Sequence, residues 1–129
     1  MRVLVIDDDE AQLRAAAGLL RLNGFEVATA LSSEQAFAQI DASHFDGALV
    51  DLMMPRTNGL ELLRGLRTRA PYLRLVLTSS FPLAHGQIER LGLDDVRFVP
   101  KPPTSEALHE AFEAPLPRVR RSDERPVTR

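Results

Sequence analysis

Apolar residues fall into two alternating patterns along this chain. Short, almost unbroken apolar runs stand at Val3–Ile6, Ala48–Val50 and Leu73–Leu77, the last broken only by Arg74. Runs of this length, flanked by turn residues, predict strands buried on both faces. Between them, apolar positions recur three and four apart: Leu13, Ala16, Ala17 and Leu20; Ala36, Phe37 and Ile40; then Leu60, Leu62, Leu63 and Leu66. That spacing puts each set on one side of a helix. Asn23-Gly24 ends the first helix, Ser32-Ser33-Glu34 opens the second, and Pro55 with Asn58-Gly59 precedes a third over 59–70 that Pro71 closes. FEVATA, residues 25–30, alternates as a further strand, and Val96, Phe98 and Val99 predict a brief fifth one. Residues 83–93 predict a weaker helix containing Gly86, and Ser105 is expected to cap a last helix running through Phe112. A strand–helix unit repeated five times predicts an α/β fold, a doubly wound five-stranded parallel sheet with helices on both faces.

With 129 residues, the chain is the size of one domain with a proper core. It has no cysteine, which excludes disulfides and cysteine-based zinc sites and points to a reducing, cytoplasmic setting. The apolar run at the N-terminus is cut off by Asp7-Asp8-Asp9, too early for a signal peptide or a membrane span. Net charge is −2, unevenly spread: residues 115–129 carry five arginines against Asp123 and Glu124. With three prolines and little apolar content, that stretch reads as a Pro/Arg-rich disordered tail behind a domain of residues 1–114. The remaining acidic body gives no reason to expect nucleic acid as a partner. Among 16 basic residues, Lys101 is the single lysine.

Polar groups gather where the predicted strands end: Asp7-Asp8-Asp9, Asp51, Thr78-Ser79 and Lys101. In a parallel sheet those ends share one edge, so residues far apart in sequence meet in one crevice. Crowded carboxylates repel one another and need a cation. An oxygen-only set suits a hard ion such as Mg²⁺ (or Mn²⁺), which keeps waters and accepts phosphate oxygens. Lys101 and a hydroxyl supply the charge and the donor that a three-oxygen anion requires. The chemistry that fits is phosphoryl transfer to a carboxylate, with Asp51 as nucleophile. Plainer readings suffice for Asp9 and Glu10, acids at a helix start, and for Ser80, a polar turn. His44, His85 and His109 are isolated in sequence and read as surface residues.

The stretches VLVIDDDE, DLMMPRTNGLELL, PYLRLVLTSSF and FVPKPPTSEAL, in this order and spacing, resemble the receiver domain of the bacterial two-component response-regulator family, from Arg2 to Phe112. The resemblance implies a flavodoxin-like fold. It implies Asp51 as the phospho-acceptor and an Mg²⁺ site formed by Asp8 directly, Asp7 through water, Asp51, and the main-chain carbonyl of Met53. Lys101 would neutralise a phosphoryl oxygen, and its bond to Pro102 would be cis. Ungapped counting from Asp51, Pro71 and Lys101 gives Ser79 as the switch hydroxyl, with Thr78 in reserve, and Phe98 falls at the switch aromatic.

By the same resemblance the chain is a phospho-acceptor and not a turnover enzyme, a stand-alone receiver in the cytoplasm. Its partners would be a histidine kinase or histidine phosphotransfer protein and a downstream protein, reached by conformational change or by phosphorelay. A nucleic-acid-linked regulator acting through the Arg-rich tail, or through a missing effector domain, is the alternative. Three departures from the pattern bear on output: Pro103 replaces a large apolar residue, the Gly92–Lys101 segment is longer than usual, and the last helix lacks the basic residues of one common receiver dimer. Homodimerisation is therefore left open. Met53 and Phe81, two residues beyond Asp51 and Ser79, cannot orient a water, which predicts slow loss of the phosphoryl group.

Overall fold

The computed structural model describes residues 1–52, 54, 59–79 and 96–113. The helix expected over 83–93, the tail from 115, and Met53, Ser80, Phe81 and His85 lie outside the described residues. The strands are β1 (Arg2–Ile6), β2 (Glu26–Ala30), β3 (Gly47–Asp51), β4 (Arg74–Ser79) and β5 (Arg97–Pro100); the helices are α1 (Glu10–Leu22), α2 (Ser33–Ala42), α3 (Gly59–Arg69) and α4 (Ser105–Glu113). All five strands pair in parallel in the order β2-β1-β3-β4-β5.

Strand alternation sorts the core into two layers. Leu4, Ile6, Ala48, Val50, Leu75 and Leu77 pack with Ala36 of α2 and Leu62, Leu63 and Leu66 of α3. Val3, Val5, Leu49, Val76 and Val99 point the other way, against Leu13 and Leu20 of α1 and Leu108 and Phe112 of α4. Because helices cover both faces, the central strands carry apolar residues at consecutive positions, Val3–Ile6, Ala48–Val50 and Leu75–Leu77, which explains why they read as unbroken runs. Burying each Val, Leu, Ile or Phe side chain among these contributes about 1.5–3 kcal/mol. Helices α1 and α4 therefore share the face onto which odd-numbered residues of β1 and β3 project, a point that decides where the site's carboxylates aim.

The ends of the helices are fixed by local chemistry. Asp9 accepts the Gln12 N–H at 3.1 Å and caps α1. Ser32 accepts the Gln35 N–H at 3.1 Å, while Gln35 Oε1 reaches back to the Leu31 N–H at 2.8 Å. At α4 the expectation from sequence is corrected: Thr104 Oγ1, not Ser105, accepts the Ala107 N–H at 3.1 Å. Ser105 is instead the first helical residue, and its Oγ accepts from Asn23 Nδ2 at 3.0 Å. Asn23 thus closes α1 and ties it to α4, and Gly24 turns the chain with φ +90° into β2. Gly47 lets α4 approach: a Cβ there would meet the Phe112 ring at 2.8 Å.

Candidate functional site

In this strand order the chain leaves β1 toward β2 on one side and toward β3 on the other. The topological switch, where ligands bind in open α/β sheets, therefore lies between β1 and β3. Asp7 is the first residue beyond β1 and Asp51 is the last of β3, so both stand at that crevice. By alternation both project to the α1/α4 side. Each is only 4% exposed.

Lys101 joins them from across the sheet. Its N–H donates to the Ser79 carbonyl at 3.0 Å, extending the β4–β5 ladder by one step, and its bond to Pro102 is cis. The Nζ lies 3.0 Å from Asp51 Oδ2 and 3.5 Å from Asp7 Oδ2, and also donates to Gln12 Oε1. Three strand ends and the first turn of α1 thus converge on one ammonium.

Burial pushes the Asp7 carboxyl above the ordinary aspartate range. The Asp9 N–H, donating to Asp7 Oδ1 at 2.9 Å, works against this, the Asp51 charge adds to it, and Lys101 offsets part of it. Two buried carboxylates share one ammonium, which leaves the site a negative charge in excess. Asp8, half-buried, follows directly. This oxygen-only donor set with surplus negative charge suits a hard divalent cation. Among the described residues, no three His, Cys, Asp or Glu side chains gather closely enough to enclose a metal by themselves. A cation held here would keep several waters, as Mg²⁺ does.

The two candidate hydroxyls separate by face. Thr78 pairs with Asp51 in the β3–β4 register and follows Val76 onto the α1/α4 side. It is 5% exposed, and its Oγ1 has no hydrogen-bond partner. Ser79, 1% exposed, follows Leu77 onto the α2/α3 side. Phe98, beside Leu77 in the register, packs against that same layer and is half-buried. Ser79 and Phe98 are therefore on one side of the sheet, and Thr78 is on the other.

One participant in the crevice, and one structural contact away from it, were missed from sequence. Gln12 reaches Lys101 because the α1 cap at Asp9 sets the first turn over the crevice, and no pattern in the sequence marks a lone glutamine for that role. His109 is more than a surface residue: its ring nitrogens lie 2.9 Å from Asn23 Oδ1 and 2.6 Å from Glu113 Oε1, and the ring leans on Phe25 at 5.5 Å. His44 is exposed, stacked on Tyr72 at 5.2 Å and bonded to Asp46. The main-chain carbonyl of Met53, expected as a metal ligand, lies outside the described residues.

Comparison with known proteins agrees with this architecture. The response regulator MprA of Mycobacterium avium is 32% identical over 126 residues, covering 96% of this chain and 54% of that protein. The alginate biosynthesis transcriptional regulatory protein AlgB of Pseudomonas aeruginosa is 32% identical over 110 residues, covering 85% of this chain and 24% of that protein. The chain thus spans between about a quarter and about half the length of these relatives. Among solved structures, a response regulator protein from Burkholderia pseudomallei with a phosphorylated aspartic acid, calcium ion and citrate superposes with a TM-score of 0.76 at 26% identity, covering 88% of this chain and 66% of that one. The family model for the response regulator receiver domain matches residues 3–113, and with the parallel 2-1-3-4-5 sheet and its acidic switch-point crevice the chain belongs to the response regulator receiver domain family.

Proposed function

We propose that this receiver accepts a phosphoryl group on Asp51, in an Mg²⁺-dependent reaction, from a histidine kinase or histidine phosphotransfer protein. The observation that carries the proposal is Lys101 Nζ at 3.0 Å from a 4%-exposed Asp51 at the switch point. The calcium ion and phosphorylated aspartic acid of the Burkholderia pseudomallei relative support it by similarity.

Asp51 Oδ attacks the donor phosphorus as the bond from phosphorus to the donor breaks, and the departing group keeps the electron pair. An Asp carboxylate can act this way because its buried position holds it within line of a docked phosphoryl group. Lys101, already ion-paired with Asp51, shifts its ion pair to a phosphoryl oxygen as the carboxylate becomes an acyl phosphate. A divalent cation held by Asp7, Asp8, Asp51 and the Met53 carbonyl would supply further charge neutralisation to the phosphoryl oxygens. The chain turns over no substrate; it catalyses its own phosphorylation and slow dephosphorylation.

Ser79 then donates to a phosphoryl oxygen, and Phe98 follows into the space that Ser79 leaves. Their shared side of the sheet supports this pairing over one between Phe98 and Thr78. A downstream protein reads the shifted β4–β5 surface, or the group passes on in a phosphorelay. In the domain plan proposed here, residues 1–114 form this unit and 115–129 a tail. No helix among the described residues is long and apolar enough to cross a membrane, and we place the protein in the cytoplasm with its kinase.

The test is beryllofluoride with Mg²⁺, followed by amide NMR. Saturable shifts centred on Asp51, Ser79 and Lys101 are expected, and their absence would overturn the proposal. AlgB is named as a transcriptional regulator, which favours a second reading: output on nucleic acid through residues 115–129 or a further domain. Salt-dependent nucleic-acid binding that is lost on deleting 115–129 would be its signature.

A further inference from the structure

Behind the acidic crevice lies a cavity of about 420 Å³ that phosphoryl transfer does not explain. Its floor is Val5 and Leu49 of the sheet, and its roof is Ala15, Ala16 and Leu19 of α1. The alanines make the space: α1 turns its large buried residues, Leu13 and Leu20, elsewhere into the core and leaves methyl groups here. The volume lies within the range of small-molecule sites, about 300–1,000 Å³. The cavity is mainly hydrocarbon, with one polar group within its wall that nothing satisfies, the Thr78 hydroxyl. Native structures seldom leave such a group unpaired, so an unsatisfied buried hydroxyl facing a cavity marks where a ligand's polar atom belongs.

The mouth selects the ligand's charge. Asp7 and Asp51 stand there already bridged by Lys101. An anionic head would face both carboxylates, and a cationic head would be held at the mouth by their excess negative charge, short of Thr78. We infer that the cavity between α1 and the sheet binds an uncharged amphiphile, a compact hydrocarbon body bearing one hydroxyl or carbonyl that pairs with Thr78. Because the occupied cavity would touch Asp51 and Lys101, occupancy and phosphorylation would be thermodynamically linked, giving the receiver a second input. The inference stands apart from the phosphorylation proposal, since it needs neither a metal nor a phosphodonor.

The experiment is a titration of the full chain, without Mg²⁺ or phosphodonor, followed by amide NMR with three probes of one shape: cyclohexanol, cyclohexanecarboxylate and cyclohexylammonium. Cyclohexanol is expected to give saturable shifts at Val5, Ala16, Leu49 and Thr78, with cyclohexanecarboxylate at least about tenfold weaker and cyclohexylammonium, drawn to the carboxylates at the mouth, shifting Asp7 and Asp51 rather than Thr78. Thr78→Val, which keeps the shape and removes the hydroxyl, is expected to weaken cyclohexanol by about three- to tenfold, the worth of one neutral hydrogen bond. Ala16→Leu fills the cavity and is expected to abolish binding; should it not fold, Ala15→Leu, at an exposed position on the rim, narrows the mouth and is expected to weaken cyclohexanol at least about threefold. Non-saturating shifts in the wild type, undiminished binding in the filled variants, or equal binding of the carboxylate would each overturn the inference.

Discussion

Lys101 Nζ and Asp51 Oδ2 are 3.0 Å apart, although 50 positions separate them in the chain. The contact exists because β3 and β5 end at the same edge, on either side of β4. It places the chain's single lysine where an acyl phosphate would need a cation.

Excess negative charge at the crevice predicts stabilisation by a divalent cation. Mg²⁺ at ten times its dissociation constant should add about 1.4 kcal/mol to the unfolding free energy, visible as a rise in Tm. Asp51→Asn should remove most of that rise, since it leaves Asp7 balanced by Lys101. An equal rise in both proteins would contradict the placement of the cation.

The two hydroxyls should behave differently. Ser79→Ala removes a hydrogen bond to a charged group, about 1.5–3 kcal/mol, so phosphorylation should slow roughly ten- to hundredfold. Thr78→Val, which keeps the shape and on this account removes no bond to the phosphoryl group, should leave the rate within about twofold. The ring-proton signals of Phe98 should shift on adding beryllofluoride to the wild type and stay put in Ser79→Ala. The reverse ranking of the two variants would assign the switch to Thr78.

Asp46 anchors the start of the sheet, accepting the Arg2 N–H at 2.8 Å. That bond holds its carboxyl below the ordinary aspartate value, against a smaller opposing effect of burial and with help from His44. A carboxylate whose folded pKa is lowered adds stability that is full above its unfolded value of about 3.8 and is lost as pH falls through the folded one. Asp46→Asn should therefore be less stable than wild type at neutral pH, with the gap closing as pH drops below 3.8. Urea midpoints at several pH values measure this, and a gap independent of pH would contradict it.

Gly47→Ala should cost about 1–3 kcal/mol, because the new methyl would meet the Phe112 ring at 2.8 Å and the Arg74 carbonyl at 3.2 Å. Both neighbours are fixed, one by the α4 core and one by the β4 ladder. An unchanged urea midpoint would show that α4 can move off the sheet freely.

Much of this was legible in the residues. Val3–Ile6 and Ala48–Val50 had to be central strands because only two-sided burial accounts for unbroken apolar runs, and parallel pairing then brought Asp7, Asp51 and Lys101 to one edge. The details that escaped are those set by three-dimensional approach. Ser105 is the better cap on paper, yet Thr104 takes that role, and Ser105, the first helical residue, bonds to Asn23 instead. Gln12, His109 and the cavity beneath Ala15 and Ala16 depend on how α1 lies across the sheet, which no spacing of residues encodes.

The central claim is that Asp51 is the phosphoryl acceptor. Intact-mass spectrometry after incubation with acetyl phosphate and Mg²⁺ tests it most directly. The wild type should gain the mass of one phosphoryl group, dependent on Mg²⁺, while Asp51→Asn should gain none and Lys101→Ala should gain it far more slowly. A wild type that gains no mass, or an Asp51→Asn protein that gains as much, would contradict the account.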